Sequence, residues 1–346
     1  MTDTMKQIVL ASRPDGAPTP ENFRLEEHPI PTPGDGEVLV RVHYMSLDPY
    51  MRGRMDDAKS YAANIPVDGK MEGGSVGEII VSNADGFEVG DFVMGGFGWA
   101  THAVAPTAGL AKIDPDAAPI TYSLGVLGMP GLTGWYGLTE IGKPKEGETV
   151  VVAAATGPVG SMVGQIAKAR GLRTVGIAGG PEKCKMAVEH FGFDACIDHH
   201  AYETASDLRA ALKDACPKGI DIYFENVGGK VLEAVIPMMN QHGRIPVCGM
   251  IAWYNAGGLG ADAVEKGLTA PKLWRTILVN FLSVQGFIIS NHWNRMPDFQ
   301  KEVAPMIKDG SVKVQEDITE GLENAPDAFI KLLTGGNTGK AIVKVI

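Results

Sequence analysis

The chain has 346 residues, 45% of them hydrophobic, and a formal net charge of −10 at pH 7. That length exceeds what one hydrophobic core usually serves, so two domains are expected, and an acidic balance without a basic cluster excludes a nucleic-acid surface. No apolar run reaches the roughly 18 residues of a membrane span and residues 1–6 lack a signal-peptide core, so the expectation is a cytoplasmic protein with no membrane and no nucleic-acid partner.

The first third alternates apolar and polar residues in short runs. Residues 37–43 put Val38, Val40 and Val42 on one face, 75–81 follow Gly73 and Gly74, and 91–94 follow Gly90, each bounded by turn formers. This predicts a β-rich domain, a distorted barrel. Asp48 and Arg52 have the spacing of a local loop ion pair, and Gly131 and Gly134 that of close packing where the domains join.

From residue 149 the pattern changes. Thr149 to Ala153 is a β-branched run suited to a parallel strand covered on both faces, and it leads directly into Thr156-Gly157-Pro158-Val159-Gly160-Ser161. Glycines there let the backbone approach a pyrophosphate and aim free amides at it. The match to the dinucleotide fingerprint is imperfect, because Ala155 holds its first position. Further strand signals follow at 174–178, 195–198, 220–225, 244–248 and 281–289, with helix signals at 160–170, 182–191 and 205–215. Such alternation predicts an α/β fold, a Rossmann doubly wound parallel sheet of about six strands.

The second strand ends in Ile177-Ala178-Gly179-Gly180-Pro181-Glu182-Lys183, with no acid at the tip to bind ribose hydroxyls. A phosphate on that ribose meets no repulsion there, and Lys183 can pair with it, so NADPH is favoured over NADH. After Gly310 the pattern is β-like again, with a strand at 312–318, a helix at 325–333 and a last strand at 340–346. The chain end is therefore expected to return to the first domain, with a cleft between two lobes for nicotinamide and substrate. All four cysteines, Cys184, Cys196, Cys216 and Cys248, lie in the nucleotide half without metal spacing, and His43, His102, His199 and His200 do not supply it, so no metal site is expected.

Six blocks carry a family resemblance that runs almost end to end: Leu47-Asp48-Pro49-Tyr50-Met51-Arg52, Gly128-Met129-Pro130-Gly131-Leu132-Thr133, Ala154-Ala155-Thr156-Gly157-Pro158-Val159-Gly160-Ser161, Phe224-Glu225-Asn226-Val227-Gly228-Gly229, Gly243-Arg244-Ile245-Pro246-Val247-Cys248-Gly249 and Gly336-Asn337-Thr338-Gly339-Lys340. The chain resembles the zinc-free medium-chain dehydrogenases/reductases, in the branch of prostaglandin, leukotriene and alkenal double-bond reductases that includes curcumin reductase-like enzymes. That resemblance implies a GroES-like substrate domain at 1–126, a Rossmann NADP-binding domain at 127–310 and a C-terminal return at 311–346. It also implies NADPH-dependent reduction of a carbon–carbon double bond conjugated to a carbonyl, and a homodimer joined through the edge of the nucleotide sheet. By position, it puts Gly157, Pro158, Val159 and Gly160 at the pyrophosphate and Lys183 at the ribose phosphate, with His199 standing where relatives often have tyrosine. Asn226, the segment Cys248, Gly249, Met250 to Tyr254, the sixth-strand tip Phe287, Ile288, Ile289, and Asn337 follow as further cofactor residues.

Hydride addition to the β-carbon of a small hydrophobic enone leaves an enolate whose oxygen needs a hydrogen-bond donor. Tyr254 and Tyr50 are the candidates, with Tyr44 third and a cofactor ribose hydroxyl as the alternative. Trp253, Tyr254, Phe281, Phe287 and Trp293 are either ordinary core or interface, or an apolar wall for the enone, and Cys248 is expected to be a small buried residue. A quinone reductase, or a non-catalytic nucleotide-binding protein, remains as the rival function. Loops 56–66 and 257–268 are expected to shape the pocket.

Overall fold

The computed structural model describes residues 4–257 and 268–346, so most of the expected pocket loop at 257–268 lies outside the described residues. The chain divides into two compact units, with boundaries at Gly128/Met129, Trp253/Tyr254 and Gln315/Glu316.

The first unit opens with β1 (Thr4–Leu10), β2 (Phe23–Pro29), β3 (Glu37–Ser46), the short helix α1 (Tyr50–Arg54), β4 (Ser75–Ser82), β5 (Phe92–Gly95), β6 (His102–Pro106) and β7 (Ala111–Ile113). The second contains α2 (Met129–Tyr136), β8 (Thr149–Ala153), α3 (Pro158–Ala169), β9 (Arg173–Ala178), α4 (Pro181–Glu189), β10 (Ala195–Asp198), α5 (Ala205–Ala215), β11 (Ile220–Phe224), α6 (Gly229–Val235), β12 (Met239–Val247), α7 (Ala270–Val279), β13 (Ser283–Gly286) and α8 (Met296–Lys308). The chain then rejoins the first unit with β14 (Glu316–Glu320), α9 (Ala325–Leu333) and β15 (Lys340–Lys344).

In the first unit β1 and β2 form an antiparallel hairpin, and the other strands form a seven-stranded mixed sheet. Its centre is β3, which pairs with β4, with β6 along Glu37 to Arg41 and with β15 at Tyr44 to Ser46, its register interrupted twice against β4. Such irregularities bend a strand and curl its sheet. The core beneath is rich in methionine and aromatic side chains, including Met45, Met51, Met55 and Met71, and Trp99 stacks on Phe23 at 5.6 Å between ring centres.

The second unit is a six-stranded parallel sheet in the order β10-β9-β8-β11-β12-β13, the doubly wound order whose switch point lies between β8 and β11. All five residues of β8 are buried, as its unbroken apolar run requires. The architecture is a Rossmann sheet together with a GroES-like unit. Among the described residues no helix is long and apolar enough to cross a membrane.

Three local readings are corrected. The strand expected at 312–318 begins only at Glu316, because the preceding backbone is already engaged: Gln165 accepts from the Lys313 amide at 2.6 Å and donates to the Lys313 carbonyl. The strand expected at 281–289 is confined to Ser283–Gly286, since Phe281 takes a left-handed φ of 52° and a 3-10 helix starts at Ile289. Strand β12 begins at Met239, earlier than 244, with His242 at a φ of 62°.

Candidate active site

The turn after β8 is built from the backbone. Ala154 adopts a φ of 53° and its carbonyl accepts the Gly157 amide at 3.1 Å, which turns the chain into α3. A Cβ on Gly160 would stand 2.3 Å from the Ala154 oxygen, so that glycine is required by helix-to-strand packing. Gly157 differs: its φ is −70°, and a Cβ there would make only an ordinary contact of 3.4 Å with the same oxygen. Nothing inside the fold demands glycine at 157, and as the cap of α3 it supplies no side-chain hydrogen bond. The first-turn amides, including those of Val159 and Gly160 behind Pro158, are thus open to an acceptor from outside the chain, with the positive end of the helix dipole behind them. Ala155 at the first fingerprint position is accommodated by a second glycine, since a Cβ on Gly176 would stand 2.8 Å from the Ala155 methyl.

At the tip of β9 the chain again enters a helix through glycine. Gly180, at a φ of 94° with open space around its α-carbon, caps α4 without a side chain, and Lys183 lies in the first turn. Asp198, ending β10, accepts the Gly180 amide at 2.8 Å and the His200 amide at 2.9 Å. His199 and His200 crowd Gly179, where a Cβ would meet the His200 ring at 2.7 Å. Burial, then the neighbouring His200 and Lys230, pull the His199 imidazole down to about 4, so it is neutral at pH 7 and contributes hydrogen bonds rather than charge. Lys230, to which sequence patterning assigns no part, donates to the His199 and Tyr202 carbonyls at 2.8 and 2.5 Å and adds a second cation to this corner.

Beyond β11 a buried carboxylate organises the backbone. Glu225 accepts the amides of Val227 and Gly228 at 2.6 and 2.9 Å, and burial raises its carboxyl against their pull. Its carbonyl accepts from Cys248 and Gly249, and the Asn226 side chain donates to the Ala153 carbonyl at 2.8 Å, tying the ends of β8, β11 and β12 together. The segment from Met250 then forms a 3-10 helix, Ile251–Ala256, with Trp253 stacked over Gly228. Burial of its sulfur pushes the Cys248 thiol up to about 12, while the residue as a whole is only partly buried, less so than expected. Phe287 is buried against Phe224 and Tyr136, and Ile288 and Ile289 follow β13 rather than extending it. Phe281 and Trp293 are exposed, Phe281 stacking on His242, so neither is ordinary core, whereas Phe287 is. Gly134 packs on α3, 2.7 Å from the Val159 carbonyl, inside this unit rather than where domains join.

In the other unit Tyr50 opens α1, half-buried, with Arg54 over its ring at 5.6 Å. Burial, and then Asp48, push its phenol well above the ordinary tyrosine range, so it is a donor at every working pH. The expected Asp48–Arg52 pair does not form. Asp48 is bound by Lys340 at 2.9 Å and by Ser46, while Arg52 pairs with Asp56 at 2.5 Å and donates to the Gly16 carbonyl at 2.7 Å. A helical turn points Asp48 and Arg52 to different neighbours, and each finds an opposite charge elsewhere. Gly16 also faces Asn255, 3.9 Å from a Cβ built on it, which brings the half-buried Tyr254 into the same unit and neighbourhood as α1. Tyr44 packs with Val76, Leu124 and Ile342 instead. Asn337 is buried and its amide donates to the Gly339 carbonyl at 2.7 Å.

Comparison with known proteins decides the family. Residues 6–113 match a family model described as the N-terminal domain of oxidoreductase, and residues 158–307 match one described as zinc-binding dehydrogenase. The chain is 51% identical over 343 residues to an NADPH-dependent curcumin reductase of Escherichia coli K12, covering 98% of this chain and 96% of that one. The chain belongs to the medium-chain dehydrogenase/reductase superfamily. It is also 39% identical to an NADP(+)-dependent 2-alkenal reductase of Nicotiana tabacum, covering 98% and 97% of the two chains. The crystal structure of CurA in complex with NADPH from Vibrio vulnificus superposes with a TM-score of 0.93 at 48% identity, over 99% of each chain.

Among the described residues of this medium-chain reductase no group of three or more His, Cys, Asp or Glu is arranged to hold a metal ion, and the sequence has no cysteine before Cys184. The residues present do not fit the zinc ion that one family description names, and the chain falls in the zinc-free branch of the superfamily.

Proposed function

We propose that this protein reduces the carbon–carbon double bond of α,β-unsaturated ketones and aldehydes with NADPH, without a metal. One observation carries the choice of coenzyme: β9 ends without an acid of its own, the Asp198 carboxylate beside its tip is occupied by the Gly180 and His200 amides, and Lys183 lies in the first turn of the glycine-capped α4, in a sheet whose first turn leaves its helix amides open. The reaction class is the one named for the relatives. Gly157 to Gly160 hold the pyrophosphate, Lys183 pairs with the ribose phosphate and the neutral His199 adds a hydrogen bond. Asn226, Cys248 to Tyr254, Phe287 to Ile289 and Asn337 complete the coenzyme's surroundings. We assign 1–126 and 311–346 to substrate and 127–310 to coenzyme.

When bound, the reduced nicotinamide supplies a hydride. The chain's own work is to orient the enone, exclude water and stabilise charge on the carbonyl oxygen. Tyr254 donates to that oxygen, and Tyr50, held protonated by burial, is the second donor. Free thiols at all four cysteines suit a cytoplasmic setting. A homodimer is supported by the edge strand β13, exposed along its length, beside α7, on which Trp274 and Leu278 are 68% and 73% exposed.

The test is NADPH consumption with short alkenals, cyclic enones, phenolic enones and quinones. Turnover of enones is expected, and turnover of quinones alone would overturn the reading. Tyr254→Phe should lower kcat on an enone about 10²-fold with the KM for NADPH unchanged; full activity would leave the ribose hydroxyl as donor.

A further inference from the structure

Two of the four cysteines meet in the tertiary structure. Cys184 follows Lys183 in the first turns of α4, and Cys196 lies on β10, two residues before Asp198. Their sulfurs are 3.2 Å apart, within about 1.2 Å of the roughly 2.05 Å of a disulfide bond. Gly176 on β9 makes the slot, since a Cβ there would come within 3.1 Å of the Cys196 sulfur. Both residues are partly exposed, whereas Cys216 is buried.

The two thiols are not equivalent. Cys196 donates its hydrogen to the Cys184 sulfur, which lowers the Cys184 thiol below its ordinary range, while the same bond and burial raise Cys196. Cys184 is thus the nucleophile and Cys196 the resolving thiol.

We propose that Cys184 and Cys196 form a reversible disulfide in response to peroxide, and that closing it loosens the hold of the β9 and β10 tips on the phosphorylated end of the coenzyme. The Cys184 thiolate attacks one peroxide oxygen, breaking the O–O bond and leaving a sulfenic acid, while the other oxygen departs as hydroxide and takes up the proton that the Cys184 thiol had released, giving water. Cys196 then attacks that sulfur, the S–S bond forms, and the sulfenic hydroxyl departs with the Cys196 proton as a second water. Two thiols and one hydrogen peroxide give one disulfide and two waters, and the two electrons lost by sulfur reduce the peroxide. A dithiol returns them. Closure draws the first turns of α4 toward β10, moving Lys183 on one side and the Asp198–His199 corner on the other. This coupling rests on the assignment of Lys183 to the ribose phosphate, but the bond itself does not.

Purified protein treated with hydrogen peroxide is digested with a glutamyl endopeptidase, which cuts after Glu182, Glu189 and Glu203 and separates 183–189 from 190–203. The two peptides should appear joined before reduction and separate after dithiothreitol, and in parallel the KM for NADPH should rise several-fold, with kcat and the KM for NADH little changed. Cys184→Ser should abolish both effects. In Cys196→Ser, Cys184 should stop at a sulfenic acid that dimedone traps. Peptides that stay separate after oxidation overturn the proposal, as does a joined pair with unchanged KM for NADPH. Lys183→Ala in the reduced enzyme tests the phosphate assignment separately, so the two failures are told apart.

Discussion

The two units hold themselves together by different means. In the parallel-sheet unit the close places are made by missing side chains: Gly160 against the Ala154 carbonyl, Gly164 against the Phe193 ring, Gly176 against Ala155. Its centre, β8, carries no charge, and at the β9 corner Lys230 is held by the His199 and Tyr202 carbonyls. The mixed-sheet unit also closes on glycines, a Cβ on Gly77 standing 2.3 Å from the Arg41 carbonyl oxygen, but it buries opposite charges in pairs, whereas the buried Glu225 of the parallel-sheet unit is met by backbone amides. Lys340 and Asp48, 292 residues apart, are 3% and 8% exposed at their side chains, and Arg52 is almost fully enclosed beside Asp56. A buried charge is tolerated only when paired or hydrogen-bonded, so the mixed-sheet unit depends on ion partners brought together by folding, while the parallel-sheet unit meets its buried carboxyl with amides a few residues away.

The largest effect that would break this contrast is at Lys340. Lys340→Met leaves the Asp48 carboxylate buried without its cation and should cost about 3–5 kcal/mol in urea unfolding, with Asp48→Leu in the same chain restoring most of it. A loss below about 1 kcal/mol would reduce the pair to the worth of a surface contact. The next effect is steric and belongs to the other unit. Gly160→Ala should destabilise by about 1–3 kcal/mol, because the added methyl has nowhere to go. Gly157→Ala should stay within about 0.5 kcal/mol of the parent in stability yet raise the KM for NADPH. Equal losses at the two glycines would show that both serve the fold. The smallest effect on stability, and the one that sharpens the contrast most, is at Lys183. Lys183→Ala should leave the melting temperature in place while raising the KM for NADPH about tenfold and sparing NADH, because the lost bond is to a phosphate only one of them has. Thermal melts and steady-state kinetics with both coenzymes check it, and matched increases in KM would sink the assignment.

Legibility differed in the same way. The strand and helix at Thr149–Ala153 and Ala205–Ala215, the short β10 at Ala195–Asp198 and the last helix Ala325–Leu333 were readable because their periodicity and end signals are local. The hairpin β1–β2 and helix α1 carried no such signal and were not predicted. Phe281 and the 312–315 segment misled, since their apolar residues suit a strand while a left-handed turn and the Gln165 side chain claim the backbone. At the candidate site, the glycine turns and Lys183 stood out by residue type. Lys230 and Glu225 did not, because a surface lysine and an acid after a strand look ordinary until the fold surrounds them.

By itself, the order of residues determined the parallel sheet, the glycine-led helix starts after β8 and β9 and the absence of an acid at the end of β9. These follow from side-chain size, backbone freedom and charge over short spans of chain. Only the tertiary structure decided that Asp48 belongs to Lys340 and Arg52 to Asp56, that His199 is held neutral, and that Cys184 meets Cys196. Each of those depends on burial and on partners distant along the chain, which set the energy of a charge or a thiol only after the backbone has closed around it.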